Sequence, residues 1–464
     1  MTINTGTTTG VTAAAATADR LREVLGDRVV LAGDAAYDAA RVPWNLAIDQ
    51  RPFAVVHPES AEDVVDVVRA ARALGLRVAP QSTGHGAGAL ADTDLSDAIL
   101  VSLSKLRGVT VHPEAQSARV LGGSEWNDVV QAAAPWGLTA LHGSSGDVGV
   151  VGYALSGGLS FYARAHGLAV NSVRAVQIVT ADGRIVRASV HDDPELFWAV
   201  RGGSGAFGVV VSLEIDLLPI ADVFAGMLLW PVDRAPEVVA AWSSWTTTAP
   251  ESASTSLRVM HFPPMPDLPP FLSDRSVVVI DGAILETDAA ATALLEPLRA
   301  LTPEIDTFAR IPAVQLVQVH MDPPEPTPGL TAGAMLSGFA GPAVDAYVAA
   351  ATTTPGLFLA ELRHVGGAAA RRPDGAGAIG SVQGDFLLAG IAMVPAPELA
   401  ESALAAAHGM VAAMADWHAP ALALTFIDGG VDRTLGFGAA QDRLRELKAV
   451  YDPANMFAGG QPVG

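Results

Sequence analysis

Two glycine-rich loops limit what this chain can fold into more than any other feature of it. The first is "VAPQSTGHGAGAL", Val78 to Leu90, which sets three glycines, two hydroxyls and an amide around a single histidine, His85, directly after a short apolar strand. The second is "LHGSSGDVGVVGYALSGGLSFYARAHGL", residues 141–168, with seven glycines among small apolar residues. A tight turn needs one glycine, whereas a loop that brings successive backbone N–H groups close to a ligand needs several. Two such loops in one predicted domain point to a long anionic ligand lying across exposed N–H groups. Their spacing departs from the common nucleotide fingerprints. There is no G-x-x-x-x-G-K-[ST], and no G-x-G-x-x-G between a strand and a helix with an acid about 20 residues on. A dinucleotide fits the pattern, but not on a Rossmann fold.

Length and charge narrow the partners. The chain has 464 residues, enough for two domains or three small ones, and half of them are hydrophobic, so a large core is readily buried. Its net charge is −21, from 49 acids and 28 bases, which argues against nucleic acid because phosphate backbones are held by clustered Lys and Arg. There is no cysteine, which removes disulfides, thiolate nucleophiles and Cys-ligated zinc; no metal site is expected. Residues 1–20, "MTINTGTTTGVTAAAATADR", lack a basic start and a sustained apolar run and are expected to form a disordered lead-in rather than a signal peptide. No window approaches 18 consecutive apolar residues, so no membrane partner is expected. A cytoplasmic location is the default expectation.

The remaining pattern is α+β. In "HPESAEDVVDVVRAARALGLRVAP" Ser60 can cap, Glu62 and Asp63 suit the first turn, and Gly75 ends the helix. Val64, Val67, Val68, Ala71 and Leu74 share one face at the helical period. Ser124 opens a helix, "VRAVQIVTADGRIVRAS" predicts a hairpin turning at Asp182-Gly183, and "FGVVVSLEIDLLPI" a long strand. From Val223 to about Pro420 strands alternate with apolar helices, which suits an antiparallel sheet covered by helices. The expected division is a lead-in at 1–20, a ligand-binding domain at 21–220, a substrate domain at 221–420, and a C-terminal segment at 421–464 that returns to the first domain.

Four stretches in order carry a resemblance: "HPESAEDVVDVVRAARALGLRVAPQSTGHGAG", "SSGDVGVVGYALSGGLSFYARAHGLAVNSVRAVQIVTADG", "ELFWAVRGGSGAFGVVVSLEIDL" and "YDPANMF". Together they resemble the vanillyl-alcohol-oxidase-like flavoproteins with a PCMH-type FAD domain, in the berberine bridge enzyme-like branch. The resemblance implies a two-part FAD-binding domain and an antiparallel substrate domain. It implies that Gln81, Ser82, Thr83, Gly84, Gly86 and Gly88 form the pyrophosphate loop, and that His85 bonds covalently to the flavin 8α-methyl. Ser145, Asp147, Val148, Gly149, Gly152, Tyr153 and Gly157 fall in the second flavin loop, Gly208 and Val209 at the adenine-side end, and Asn455 in the returning segment. The implied reaction is hydride removal from a small organic substrate, followed by reoxidation by molecular oxygen.

The chain also departs from the family. A second tether, a cysteine to flavin C6 in many relatives, falls on Ser145, so the link must be single. Tyr153 replaces a histidine near the flavin pyrimidine; Val148 falls where oxygen access is gated and looks permissive. The usual glutamate base falls on Phe386, with Asp385 beside it, and its supporting tyrosine falls near Ala423. Tyr153 and Asp385 are therefore the catalytic candidates, Asp385 only if the strand register slips by one. His320, Glu361, Arg363 and His364 are the other ionisable groups, and a structural role is the preferred reading of each. No substrate-domain carboxylate is expected to be essential. The apolar "DFLLAGIAMV" leans toward an aromatic or natural-product substrate. Alcohol or carbohydrate oxidation, oxidative cyclisation, and flavin binding without turnover stay open.

Overall fold

The computed structural model describes residues 6–264, 268–269, 271–428, 431–461 and 463. The helix Ala61–Leu74 forms as its sequence dictates: Ser60 and Asp63 make a reciprocal capping box, and Gly75 closes it in the left-handed conformation at φ 69°. Its buried face is Val64, Val67, Val68, Ala70 and Ala71. It leads into the strand Arg77–Gln81, which pairs parallel to Ala98–Ser102, a strand buried along its whole length. Val29–Leu31 and Ala54–Val56 complete this four-stranded sheet.

A correction applies at the N-terminus. The expected disordered lead-in instead enters a helix, Gly6–Leu25, whose Leu21 and Leu25 lie in the core beneath the four-stranded sheet. Alanine and leucine have strong helix propensity, and apolar burial anchors the last turns.

A second, five-stranded antiparallel sheet runs Val109–His112, Ser117–Leu121, Val209–Asp216, Val173–Val179, Ile185–Ser189. The last two form the expected hairpin. Gly208, at φ 152°, begins Val209–Asp216 where a Cβ would stand 2.4 Å from the Val179 carbonyl, so only glycine permits this close approach.

The third sheet is antiparallel. Its main path is Ile305–Asp306, Asp222–Pro231, Ser276–Ile284, Ala253–His261, Leu359–His364, Phe386–Met393, Gly329–Leu336, with Ala309–Pro312 also on Asp222–Pro231. Strand alternation sends successive residues to opposite faces. One face, with Trp230, Leu257, Ile280, Leu362 and Phe386, packs under the helices Ala235–Thr246, Asp288–Arg299 and Pro342–Thr353. The other carries Ser256, Arg258, Asp281, Glu361 and Arg363, and its Leu387 and Met335 join the core that includes Tyr153 and Phe161 of the second glycine loop. The polar face of this sheet therefore meets that loop.

Candidate active site

The first loop holds His85 on three sides. Trp44 stacks on the imidazole with ring centroids 4.0 Å apart and planes at 17°. The Thr83 hydroxyl lies 2.8 Å from Nδ1, and Asp147 Oδ1 lies 3.3 Å from Nε2. The Trp44 indole N–H donates to Asp147 Oδ2 at 2.7 Å, and the Ser145 hydroxyl donates to Oδ1. Burial opposes ionisation of Asp147, but the nearby His85 ring and the hydrogen bonds from Ser145 and Trp44 outweigh it and hold the carboxyl below its usual value. The Asp147 contact misses hydrogen-bond alignment, so Nε2 is buried without a partner. The two loops also touch directly, through Gly149 N–H to the Thr83 hydroxyl at 3.3 Å.

The glycines here differ in their surroundings. A Cβ on Gly158, at φ 72°, would stand 2.6 Å from the Tyr153 ring, and one on Gly143 would stand 3.1 Å from its other edge. The phenol is thus gripped between glycines, with its hydroxyl buried and unpartnered. Burial raises the phenol well above the ordinary tyrosine value, with Arg363 opposing weakly, so it stays a neutral donor. At Gly86 and Gly152, in contrast, a Cβ would meet nothing within 4 Å. Both are exposed, and backbone N–H groups there are approachable.

Other expected site residues have structural duties. Gln81 ends its strand opposite Ser102; the Ser82 hydroxyl donates to the Gly122 carbonyl at 2.8 Å. The Val148 carbonyl accepts from Trp126 N–H at 3.1 Å. Gly84, at φ 86°, lies against Pro43, and Gly157 takes φ 114° beside Ile379. Gly88 leaves room for Asp428, whose Oδ1 would stand 1.9 Å from a Cβ.

Asp428 is a group the sequence did not flag. Its Oδ2 accepts from Thr331 N–H at 2.8 Å, and burial pushes its carboxyl up to about 6. A carboxyl that holds its proton more tightly folded than unfolded stabilises the fold at low pH. That contribution is lost as pH rises from the ordinary value near 3.8 through about 6. Urea midpoints of the wild type and Asp428→Asn are therefore expected to diverge between these pH values, with the variant losing less stability. Parallel pH profiles would show that Asp428 does not titrate there.

Two expected positions are corrected by the structure. Asp385 is exposed and its Oδ2 accepts from Gly338 N–H at 2.8 Å, outside the sheet face that meets the loops. The neighbouring Phe386 points into the helix-side core, stacked on His364 with centroids 5.4 Å apart. Asp385 precedes the strand, and the continuous pairing of Phe386–Met393 with Gly329–Leu336 shows no register slip that would turn Phe386 toward the loop. Asn455 is exposed in a left-handed turn at φ 49°, and the buried contacts of its segment are made by Asp452 and Lys448. Asp452 accepts from Met456 N–H at 2.8 Å, Phe457 N–H at 2.9 Å and Lys448 Nζ at 2.6 Å. Lys448 also donates to the Ala206 carbonyl at 2.7 Å. This fixes Phe457 beside Val78, next to the first loop.

His364 is structural: its Nε2 faces Arg164 Nη1 at 2.8 Å, so it must accept, and burial lowers it to about 3. His320, Glu361 and Arg363, in contrast, are brought together. Arg363 donates from Nε to Glu361 at 2.7 Å and from Nη2 toward Ser144 of the second loop at 3.3 Å, its guanidinium 4.7 Å above the Phe426 ring. Strand periodicity places Glu361 and Arg363 on one face; that His320 joins them was not readable.

Do these loops fit FAD? Open glycines at 86 and 152, the unpartnered His85 Nε2 and the unpartnered Tyr153 hydroxyl are what such a ligand would use, and they fit. Residues 52–189 match the family described as FAD binding domain. The (R)-6-hydroxynicotine oxidase of Paenarthrobacter nicotinovorans is 34% identical over 203 residues, 44% of each chain. The chain spans about half the length of the curated relatives it matches. BBE-like 1 of Physcomitrella patens superposes with TM-score 0.83 at 20% identity, covering 97% of this chain and 99% of that one. The xylooligosaccharide oxidase of Myceliophthora thermophila C1, solved with xylobiose, gives 0.80 at 22% identity over 96% and 99%. Residues 52–189 are thus similar to the FAD binding domain family, and the chain has the fold seen in BBE-like 1 of Physcomitrella patens.

Among the described residues no cluster suited to a metal ion occurs, and no helix is long and apolar enough to cross a membrane.

Proposed function

We propose that this protein is an FAD-dependent oxidase of small organic molecules, with the flavin tethered through His85 alone. The observation that carries the reading is the His85 clamp: an imidazole fixed by Trp44 and Thr83 with its Nε2 buried and unpartnered beside Asp147. The flavin supplies the acceptor for a hydride taken from a substrate C–H bond. The chain supplies everything that orients it. Gly86 and Gly152 open the loops to a phosphate-bearing ligand, and Tyr153, kept neutral by burial, offers an unused O–H on the side facing the substrate sheet. Relatives named as hydroxynicotine, monooxygenase and oligosaccharide enzymes leave the substrate class wide. The apolar Leu387 and Met335, packed with Tyr153 and Phe161 of the second loop, support an aromatic or natural-product substrate, with oxygen as the final acceptor.

The test is anaerobic mixing of the flavin-loaded protein with 6-hydroxynicotine, vanillyl alcohol and xylobiose while following loss of flavin absorbance. Bleaching by one of the aromatic compounds is the expected result. Bleaching by xylobiose alone would overturn the substrate class, and a protein that takes up no flavin would overturn the whole reading.

A further inference from the structure

The ionic cluster behind Ser144 has no part in the function proposed above. His320, 1% exposed, lies at its centre. Its Nδ1 is 3.1 Å from Asp281, which is fully buried and bound by Arg258 and by the Ser256 hydroxyl at 2.7 Å. Its Nε2 is 3.3 Å from Arg363 Nη2 and 3.4 Å from Glu361 Oε1. Arginine only donates, so the Arg363 contact calls for a bare Nε2, whereas the Glu361 contact calls for a protonated one. Asp281 accepts from Nδ1–H in both states. The same buried ring therefore has a partner ready whether or not it carries a second proton.

Around the ring stand the carboxylates Asp281, Glu361 and Asp322, the last 3.9 Å away and partly exposed, and the guanidiniums Arg258 and Arg363; the Phe161 edge closes the remaining side. Glu361 Oε1 takes the contacts with Arg363 and His320, and no hydrogen bond among the described residues reaches its Oε2.

We propose that Glu361 and His320 form a buried proton-accepting pair for substrate oxidation, on the sheet face that meets the second glycine loop. This rests on the flavoprotein reading. Glu361 is the catalytic residue, meeting the substrate O–H or N–H. His320 acts through it as a positioning residue, held by Asp281. The O–H or N–H bond breaks and its proton goes to Glu361. The electron pair left on oxygen or nitrogen forms the new C=O or C=N bond, while the C–H pair leaves as hydride to the flavin. The pair supplies what Phe386 and Ala423 do not, and it replaces the expectation that no carboxylate is essential.

The test follows the His320 ring by NMR in flavin-loaded, ¹⁵N-histidine-labelled protein, its signal assigned by loss in His320→Gln. Glu361 favours the protonated ring and Arg363 the neutral one. Glu361→Gln and Arg363→Gln are expected to move the pH dependence of the ring signal in opposite directions. Glu361→Asp, which keeps the charge, serves if the Gln variant does not fold, and it should leave the midpoint higher than in Arg363-intact Glu361→Ala. In parallel, flavin bleaching by whichever of the three panel compounds reduces the wild type should slow roughly 10²–10⁴-fold in Glu361→Gln, and no more than about tenfold in Asp385→Asn. An unmoved midpoint, or bleaching in Glu361→Gln within about tenfold of wild type, overturns the proposal while leaving the flavoprotein reading intact. Absence of flavin from the wild type fails that reading instead.

Discussion

His85→Ala protein precipitated with acid is expected to be colourless, while the wild-type precipitate stays yellow. Acid unfolds the chain and releases any cofactor held only by hydrogen bonds and dispersion, so colour in the pellet reports a covalent bond. No cysteine exists to offer a second tether, and Ser145, at the place where many relatives carry one, is bound to Asp147. The structure around His85 gives that ring one orientation: stacked on Trp44, bound at Nδ1 by Thr83, with Asp147 at Nε2. The loss should be complete rather than graded, because alanine leaves no imidazole in the loop and the chain has no thiol. Before acid treatment the variant should still take up FAD, since the glycine loops are unchanged. Flavin that survives denaturation of the variant would place the tether on another residue.

The second large effect is expected at the C-terminal clasp. Asp452→Ala leaves the Lys448 ammonium buried among carbonyls with its counter-charge gone, and frees the N–H groups of Met456 and Phe457. Burial already lowers Lys448 from its ordinary value, with Asp452 opposing that shift. Removing one partner of such a pair costs about 3–5 kcal/mol, because the other charge is stranded. Urea denaturation should show that loss, and limited proteolysis should cut first near residue 450 in the variant. Asp452→Asn keeps the shape and some of the hydrogen bonds, and should lose less. If Asp452→Ala costs under about 1 kcal/mol, the range of an exposed pair, the clasp does not hold the returning segment in place.

Much of this architecture was written in local patterns. The capping box at Ser60 and Asp63, the Asp182-Gly183 hairpin and the two glycine loops are determined by neighbours in sequence, because caps, turns and close backbone approach depend on residues a few positions apart. The resemblance carried His85 and the FAD domain in the same way, as contiguous stretches, and the match at 52–189 agrees with it. Readings that depended on register or on long-range company fared differently. Asp385 and Phe386 were placed by position alone; the strand begins at Phe386, which points into the helix-side core, and Asp385 lies exposed just before it. Asn455 marked the right turn, but the buried acid three residues earlier makes its bonds.

By itself, then, the sequence determined a cysteine-free, acidic α+β chain with two glycine-rich loops and one histidine between a hydroxyl and glycines. Only the tertiary structure decided which ionisable groups meet. Trp44 reaches His85 across 41 positions and Asp147 lies 62 beyond it. His320, Asp281, Glu361 and Arg363 come from three separate stretches of chain. The physical reason is that an ionic side chain is stabilised by partners its own segment does not contain, so its role is fixed when the sheet face closes on the glycine loop.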